Sequence, residues 1–133
     1  RPLSDRSKGP RIVCATLPGE THYLGLQMAA TVLSLAGCRV IYLGSDTPVE
    51  DVVDAAHAHQ TSAVCISISI AANRFMASRD LSLLRERLNP SVALVTGGLG
   101  APEGLPGVEL VPGLDALLEW GQNLIAHSNA ARK

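Results

Sequence analysis

Ala63-Val64-Cys65-Ile66-Ser67-Ile68-Ser69-Ile70 is the stretch on which the fold turns. Its first four positions are apolar without a break, and only Ser67 and Ser69 interrupt the rest. A short run of this kind suits a strand buried on both faces, which requires helices above and below a parallel sheet. Working outward, shorter apolar runs stand at residues 12–17, 39–43, 92–96 and 108–110. Helical spacing fills the intervals. Residues 24–36 form one such segment, closed by Gly37 in the C-terminal cap position. Thr47-Pro48-Val49-Glu50 reads as a capping box with Pro at the first helical position, opening a helix that ends near Gln60. Residues 76–88 form a third, stopped by Asn89-Pro90, and residues 114–126 a closing helix.

Five strands alternating with helices predict an α/β domain with an open, doubly wound parallel sheet and helices on both faces. The flavodoxin-like strand order 2-1-3-4-5 is the expected member of that class. The 133 residues suffice for one such domain and a real core. Hydrophobic residues at 47% with aromatics at only 3% fit an aliphatic core of helices on a parallel sheet. A net charge of −1 gives no electrostatic reason for direct contact with nucleic acid or an anionic membrane. No apolar run reaches the roughly 18 residues of a membrane span. Cys14, Cys38 and Cys65 are odd in number and show no C-x-x-C spacing. Cys14 and Cys65 lie within apolar strands, as small buried hydrophobes of a reducing cytoplasm would. A start at Arg1 rather than Met is expected of a piece of a longer protein. Residues 1–10 read as a linker, 11–127 as the domain and 128–133 as a flexible tail.

This architecture binds ligands outside the carboxyl ends of the strands, at the switch between strands 1 and 3. Several chemistries fail there on specific residues. The loop after strand 1, Pro18-Gly19-Glu20-Thr21-His22, lacks the G-x-G-x-x-G of a dinucleotide site and puts an acid where a diphosphate would sit. No G-x-x-x-x-G-K-[S/T] occurs, strand 3 ends in Ser67 and Ser69 rather than a phosphoacceptor Asp, and no G-x-S-x-G elbow activates a serine. Glu20-Thr21-His22-Tyr23-Leu24-Gly25 remains. A neutral imidazole is a good ligand for a borderline transition metal, and a carboxylate two residues away can take the other ring N–H. Gly25 removes a side chain where a bulky planar ligand would approach. His57, His59 and His127 read as surface residues, and Trp120 as packed in or beside the core. Asp46 and Thr47 read as helix caps. Asn73 and Arg74 follow strand 3 at the ligand end, within reach of a cofactor's amides or phosphate.

The chain resembles the cobalamin-binding domains of corrinoid methyltransferases, adenosylcobalamin mutases and cobalamin-dependent regulators. These share D-x-H-x-x-G, S-x-L and G-G at set separations. Here the blocks are Glu20 to Gly25, Ser67 to Ser69 and Gly97-Gly98, separated by residues 26–66 and 70–96. The resemblance implies that His22 is the lower ligand to cobalt, replacing the cofactor's own base, and that Glu20 orients it. It implies that Ser67 hydrogen-bonds the displaced nucleotide tail, that Gly97 and Gly98 let the tail pass, and that Gly25 leaves room near the corrin edge. Two positions depart from the pattern. Glu20 is one methylene longer than Asp. Ser69 replaces Leu, which makes the expected slot wall more polar and forgoes an apolar contact of about 1.5–3 kcal/mol.

Enzyme members carry G-D-x-H-D-x-G-K-N-I or a related run. This chain reads Gly19-Glu20-Thr21-His22-Tyr23-Leu24-Gly25-Leu26-Gln27-Met28, followed after strand 2 by Tyr42-Leu43-Gly44-Ser45-Asp46-Thr47-Pro48. Those runs resemble the sensor branch. The resemblance therefore implies a non-enzymatic sensory domain of a light-responsive transcriptional regulator or antirepressor, holding adenosyl-, methyl- or hydroxocobalamin. Its partners would be an upstream DNA-binding module or helical cap, a second copy, or a partner regulator. The alternatives are a corrinoid-carrying module of a methyltransferase or mutase, and a haem- or bilin-binding sensor on the same scaffold.

Overall fold

The computed structural model describes residues 9–131. The expected linker thus lies almost wholly outside the described residues, as do positions 132 and 133 of the expected tail. In chain order the elements are β1 (Arg11–Ala15), α1 (Leu24–Ala36), β2 (Arg39–Gly44), α2 (Val49–Ala58), β3 (Ala63–Ser67), α3 (Arg74–Arg87), β4 (Ala93–Gly97), β5 (Glu109–Leu110) and α4 (Gly113–Ala131). The strands pair in parallel in the expected flavodoxin-like order β2-β1-β3-β4-β5.

The period-2 alternation of side chains sorts the apolar residues into two layers. Val13 and Ala15 of β1, Val64 and Ile66 of β3 and Leu94 of β4 pack with Val52 of α2 and Leu81 and Leu84 of α3. Ile12, Cys14, Ala63, Cys65 and Val95 point the other way, onto Leu26 and Leu33 of α1 and Leu117 of α4. Trp120 packs beside this second layer and donates from Nε1 to Glu109 at 3.2 Å. The three thiols are free and buried. Cys14 and Cys65 are register partners; their contact, together with burial, pushes the Cys14 thiol up, and burial pushes Cys38 up to about 11. No helix among the described residues is long and apolar enough to cross a membrane.

The ends of elements differ from the sequence reading for identifiable reasons. β3 stops at Ser67 rather than Ile70 because the Ser69 N–H leaves the ladder and donates to Glu20 Oε1 at 2.7 Å. The capping box at α2 does not form. Thr47 Oγ1 instead donates to Gly44 O at 3.0 Å, and the helix starts after Pro48 without a side-chain cap. α3 starts earlier than expected, capped by Asn73, whose Oδ1 accepts from Met76 N at 3.1 Å. α1 ends as expected: Cys38 N donates to Leu33 O and Gly37 N to Ser34 O, both at 3.0 Å. α4 runs on through Ala131, so positions 128–131 of the expected tail are helical.

Candidate functional site

The loop after β1 is held from two sides. Thr16, just past the strand, donates from Oγ1 to Glu20 O at 2.8 Å, and the same oxygen accepts from Asp46 N at 2.9 Å. Asp46 returns the contact by accepting from Gly19 N at Oδ1, 2.7 Å, while its own N–H also reaches Glu20 O at 2.9 Å. Its backbone sits at φ +51°, which a short polar side chain bonded locally tolerates. Asp46 is therefore a brace for the loop after β1 and not a helix cap.

Glu20 turns inward and is 8% exposed. Its Oε1 accepts from Ser69 N at 2.7 Å and its Oε2 from Ser69 Oγ at 3.0 Å. His22 Nδ1 lies 3.3 Å from Glu20 Oε2, and the imidazole stands 64% exposed above the loop. Burial alone would raise the Glu20 pKa. The two Ser69 donors and His22 outweigh it and hold the carboxyl below its ordinary value. An acceptor at Nδ1 favours the tautomer with hydrogen on that nitrogen and leaves Nε2 with a free lone pair pointing away from the anchor. Nε2 has no protein partner among the described residues. Among the described residues no three His, Cys, Asp or Glu side chains gather as a metal site.

Gly25, Ser67, Gly97 and Gly98, distant in sequence, line one cleft of about 480 Å³. It lies on the α1–α4 face, floored by Cys65 and walled by Met28 and Leu117. A Cβ at Gly25 would stand 3.1 Å from Ser67 Oγ, so the glycine keeps open the space into which that hydroxyl points. Gly98 is at φ +104°, and a Cβ there would overlap the Ile68 carbonyl. Its glycine allows the β4 loop to lie against the loop carrying Ser69.

Six of the seven expected site residues thus form two adjoining groups, the loop pair Glu20 and His22 and the cleft set, with Ser67 where they meet. Ser69 does not line the cleft. Both its donors are spent on Glu20, so it belongs to the loop and not to the expected slot wall. Asn73 flanks a smaller cleft beside His22, whereas Arg74 lines neither. Asp46 went unrecognised as a brace because its partner Gly19 is 27 positions away. His57 and His59 are exposed, and His127 bonds Asn123 O within α4.

The family model for the B12 binding domain matches residues 10–126. Dimethylamine corrinoid protein 3 of Methanosarcina acetivorans is 33% identical over 95 residues, covering 69% of this chain and 44% of that protein. A solved cobalamin-binding protein from Desulfitobacterium hafniense superposes with a TM-score of 0.76 at 22% identity, over 89% of this chain and 60% of that one. The monomethylamine corrinoid protein of Methanosarcina barkeri gives 0.72 at 18% identity, over 92% of this chain and 61% of its own. The methanol:cobalamin methyltransferase complex of the same organism gives 0.76 at 17%, over 88% of this chain and 46% of its own. The chain spans roughly half the length of these relatives.

Proposed function

The chain belongs to the B12-binding domain family, and from that premise we propose that it holds a base-off corrinoid, with His22 Nε2 on cobalt and the nucleotide tail in the 480 Å³ cleft. The observation that carries this reading is the convergence of Gly25, Ser67, Gly97 and Gly98 on one cleft beside a histidine anchored through Nδ1. The residues present fit the group. The cleft lies within the range of about 300–1,000 Å³ usual for small-molecule sites. Its walls are mostly apolar, as a benzimidazole requires, and Ser67 Oγ offers a polar contact where Gly25 leaves room. Glu20 orients His22 and raises its basicity as a ligand.

Its role is that of a corrinoid-carrying module in methyl transfer. A bound corrinoid supplies the methyl-accepting and methyl-donating chemistry, and this chain positions and tunes it while partner proteins catalyse each transfer. This replaces the light-responsive sensor expected from the His22 loop, because the relatives are named as dimethylamine and monomethylamine corrinoid proteins and a methyltransferase complex. A sensory role stays as the second reading on two departures from the enzyme pattern. Tyr23 stands where enzyme members place a second acid, and Glu20 pairs with Ser69 in place of the Asp and Leu of the pattern.

The test is to load the purified chain with hydroxo-, methyl- and adenosylcobalamin, and separately with haem, then desalt and record absorbance for wild type and His22→Ala. Retained corrinoid with a base-off, histidine-ligated spectrum that His22→Ala abolishes is the expected result. Retention of haem alone, or an unchanged spectrum in His22→Ala, refutes it. A methyl-donor protein that methylates the reduced, loaded chain supports the carrier. A change of assembly state on illumination, without methyl transfer, supports the sensor instead.

A further inference from the structure

A second cleft, of about 300 Å³, opens beside the His22 loop on the α2–α3 face of the sheet. The loop 18–22 forms one rim and the start of α3 the other, while Leu17, Ile68, Ala77 and Asp80 make its floor. Asp80 stands seven positions after Asn73 and four after Met76, so helical spacing puts all three on the face turned to this cleft. Asp80 is only 7% exposed, in a floor that is otherwise apolar. Its Oδ1 takes one long hydrogen bond, 3.4 Å from Arg79 Nε, and the arginine side chain itself is 68% exposed. Oδ2 has no protein partner among the described residues.

A carboxylate set in an apolar floor is costly unless donors reach it. With Arg79 beside it offsetting part of its charge, Asp80 offers a strong acceptor more than a site of net negative charge. The matching donor is a neutral N–H group able to enter from the His22 side. Corrinoids carry carboxamide arms around the ring, each ending in an NH₂ with two donor hydrogens, as in Asn and Gln. His22 lies on the cleft's rim, so a corrinoid held there would have peripheral arms within reach of its mouth. We propose that this cleft receives one peripheral carboxamide arm of the corrinoid, whose NH₂ donates to Asp80. The inference rests on the corrinoid reading and adds a residue that selects an amide at one ring position.

The test uses the whole chain, cobalamin, and the set of cobalamin monocarboxylic acids in which one arm's carboxamide is replaced by a carboxylate, one isomer per arm. Affinities are read from the absorbance change on binding at pH 7. One isomer is expected to bind roughly tenfold or more weakly than cobalamin, because like charges would meet at Asp80. In Asp80→Asn the gap for that isomer should close while the ranking of the others stays unchanged. Equal binding of all isomers by wild type, a comparison that needs no variant, overturns the proposal. So does a gap that persists in Asp80→Asn. Failure of unmodified cobalamin to bind refutes the corrinoid reading itself, and this inference with it.

Discussion

Ser69→Ala isolates the hydroxyl that closes the clamp between the β1 and β3 loops. In the native chain the nearly buried Glu20 carboxylate takes Ser69 N–H at 2.7 Å and Ser69 Oγ at 3.0 Å. The substitution keeps the first and deletes the second, leaving Oε2 with only the His22 ring at 3.3 Å. A hydrogen bond to a charged group contributes about 1.5–3 kcal/mol. For a domain of this size 1 kcal/mol moves Tm by about 4 °C, so a loss of about 6–12 °C is expected at pH 7. The effect has a definite sign with pH. Glu20 is held below its ordinary pKa, so its contribution is present above the unfolded carboxylate range and is lost as pH falls through the folded value. The deficit of Ser69→Ala should therefore shrink in acid. Thermal unfolding followed by circular dichroism at pH 7 and in the acid range measures both. A loss below about 2 °C at pH 7, or one that does not narrow in acid, refutes the clamp. Ser69→Leu, which restores the S-x-L pattern, should do no better than Ser69→Ala, since the leucine would lie against a carboxylate.

Two further substitutions separate binding from stability. Gly25→Ala adds a methyl 3.1 Å from Ser67 Oγ at the cleft wall but gains up to about 1 kcal/mol of helix propensity. Unfolding should be unchanged or slightly improved while corrinoid affinity in the absorbance titration falls roughly tenfold or more, and undiminished affinity would remove Gly25 from the site. Thr96 Oγ1 is buried with no hydrogen-bond partner among the described residues, and an unsatisfied buried group costs about 1–3 kcal/mol. Thr96→Val should raise stability by about 1 kcal/mol in urea unfolding; a decrease would mean that the hydroxyl has a partner.

What was legible in the sequence followed from local periodicity. The unbroken apolar run from Ala63 placed β3 at the centre, and the alternation of elements pointed to a doubly wound sheet, of which the flavodoxin-like order is the member found. The cleft residues were legible through spacing, because each block stands at a strand's carboxyl end. What escaped were pairings across the sheet. Glu20 and Ser69 read as two separate departures from a pattern, yet they lie 49 positions apart and satisfy each other. Glu20 takes both Ser69 donors, and nothing local in either residue says so. Asp46 looked like a cap because Thr47-Pro48 follows it, whereas its φ of +51° and its bond to Gly19 arise only when β1 and β2 lie side by side. Asp80 did leave a trace. It is an acid within the buried stripe of α3, between Ala77 and Leu84.

The bracing of the His22 loop has a kinetic consequence. Asp46 grips Gly19 and Ser69 grips Glu20, so the backbone that presents the imidazole is already in place when a ligand arrives. Ordering a slack loop would cost about 1–2 kcal/mol per residue, whereas stilling one side chain costs about 0.5–1.5 kcal/mol. The exposed ring of His22 has side-chain freedom to lose, while the backbone that carries it is already held. If the chain takes cobalamin base-off as proposed, association should then need little rearrangement of this loop, and its slow step should lie in the ligand's release of its own axial base.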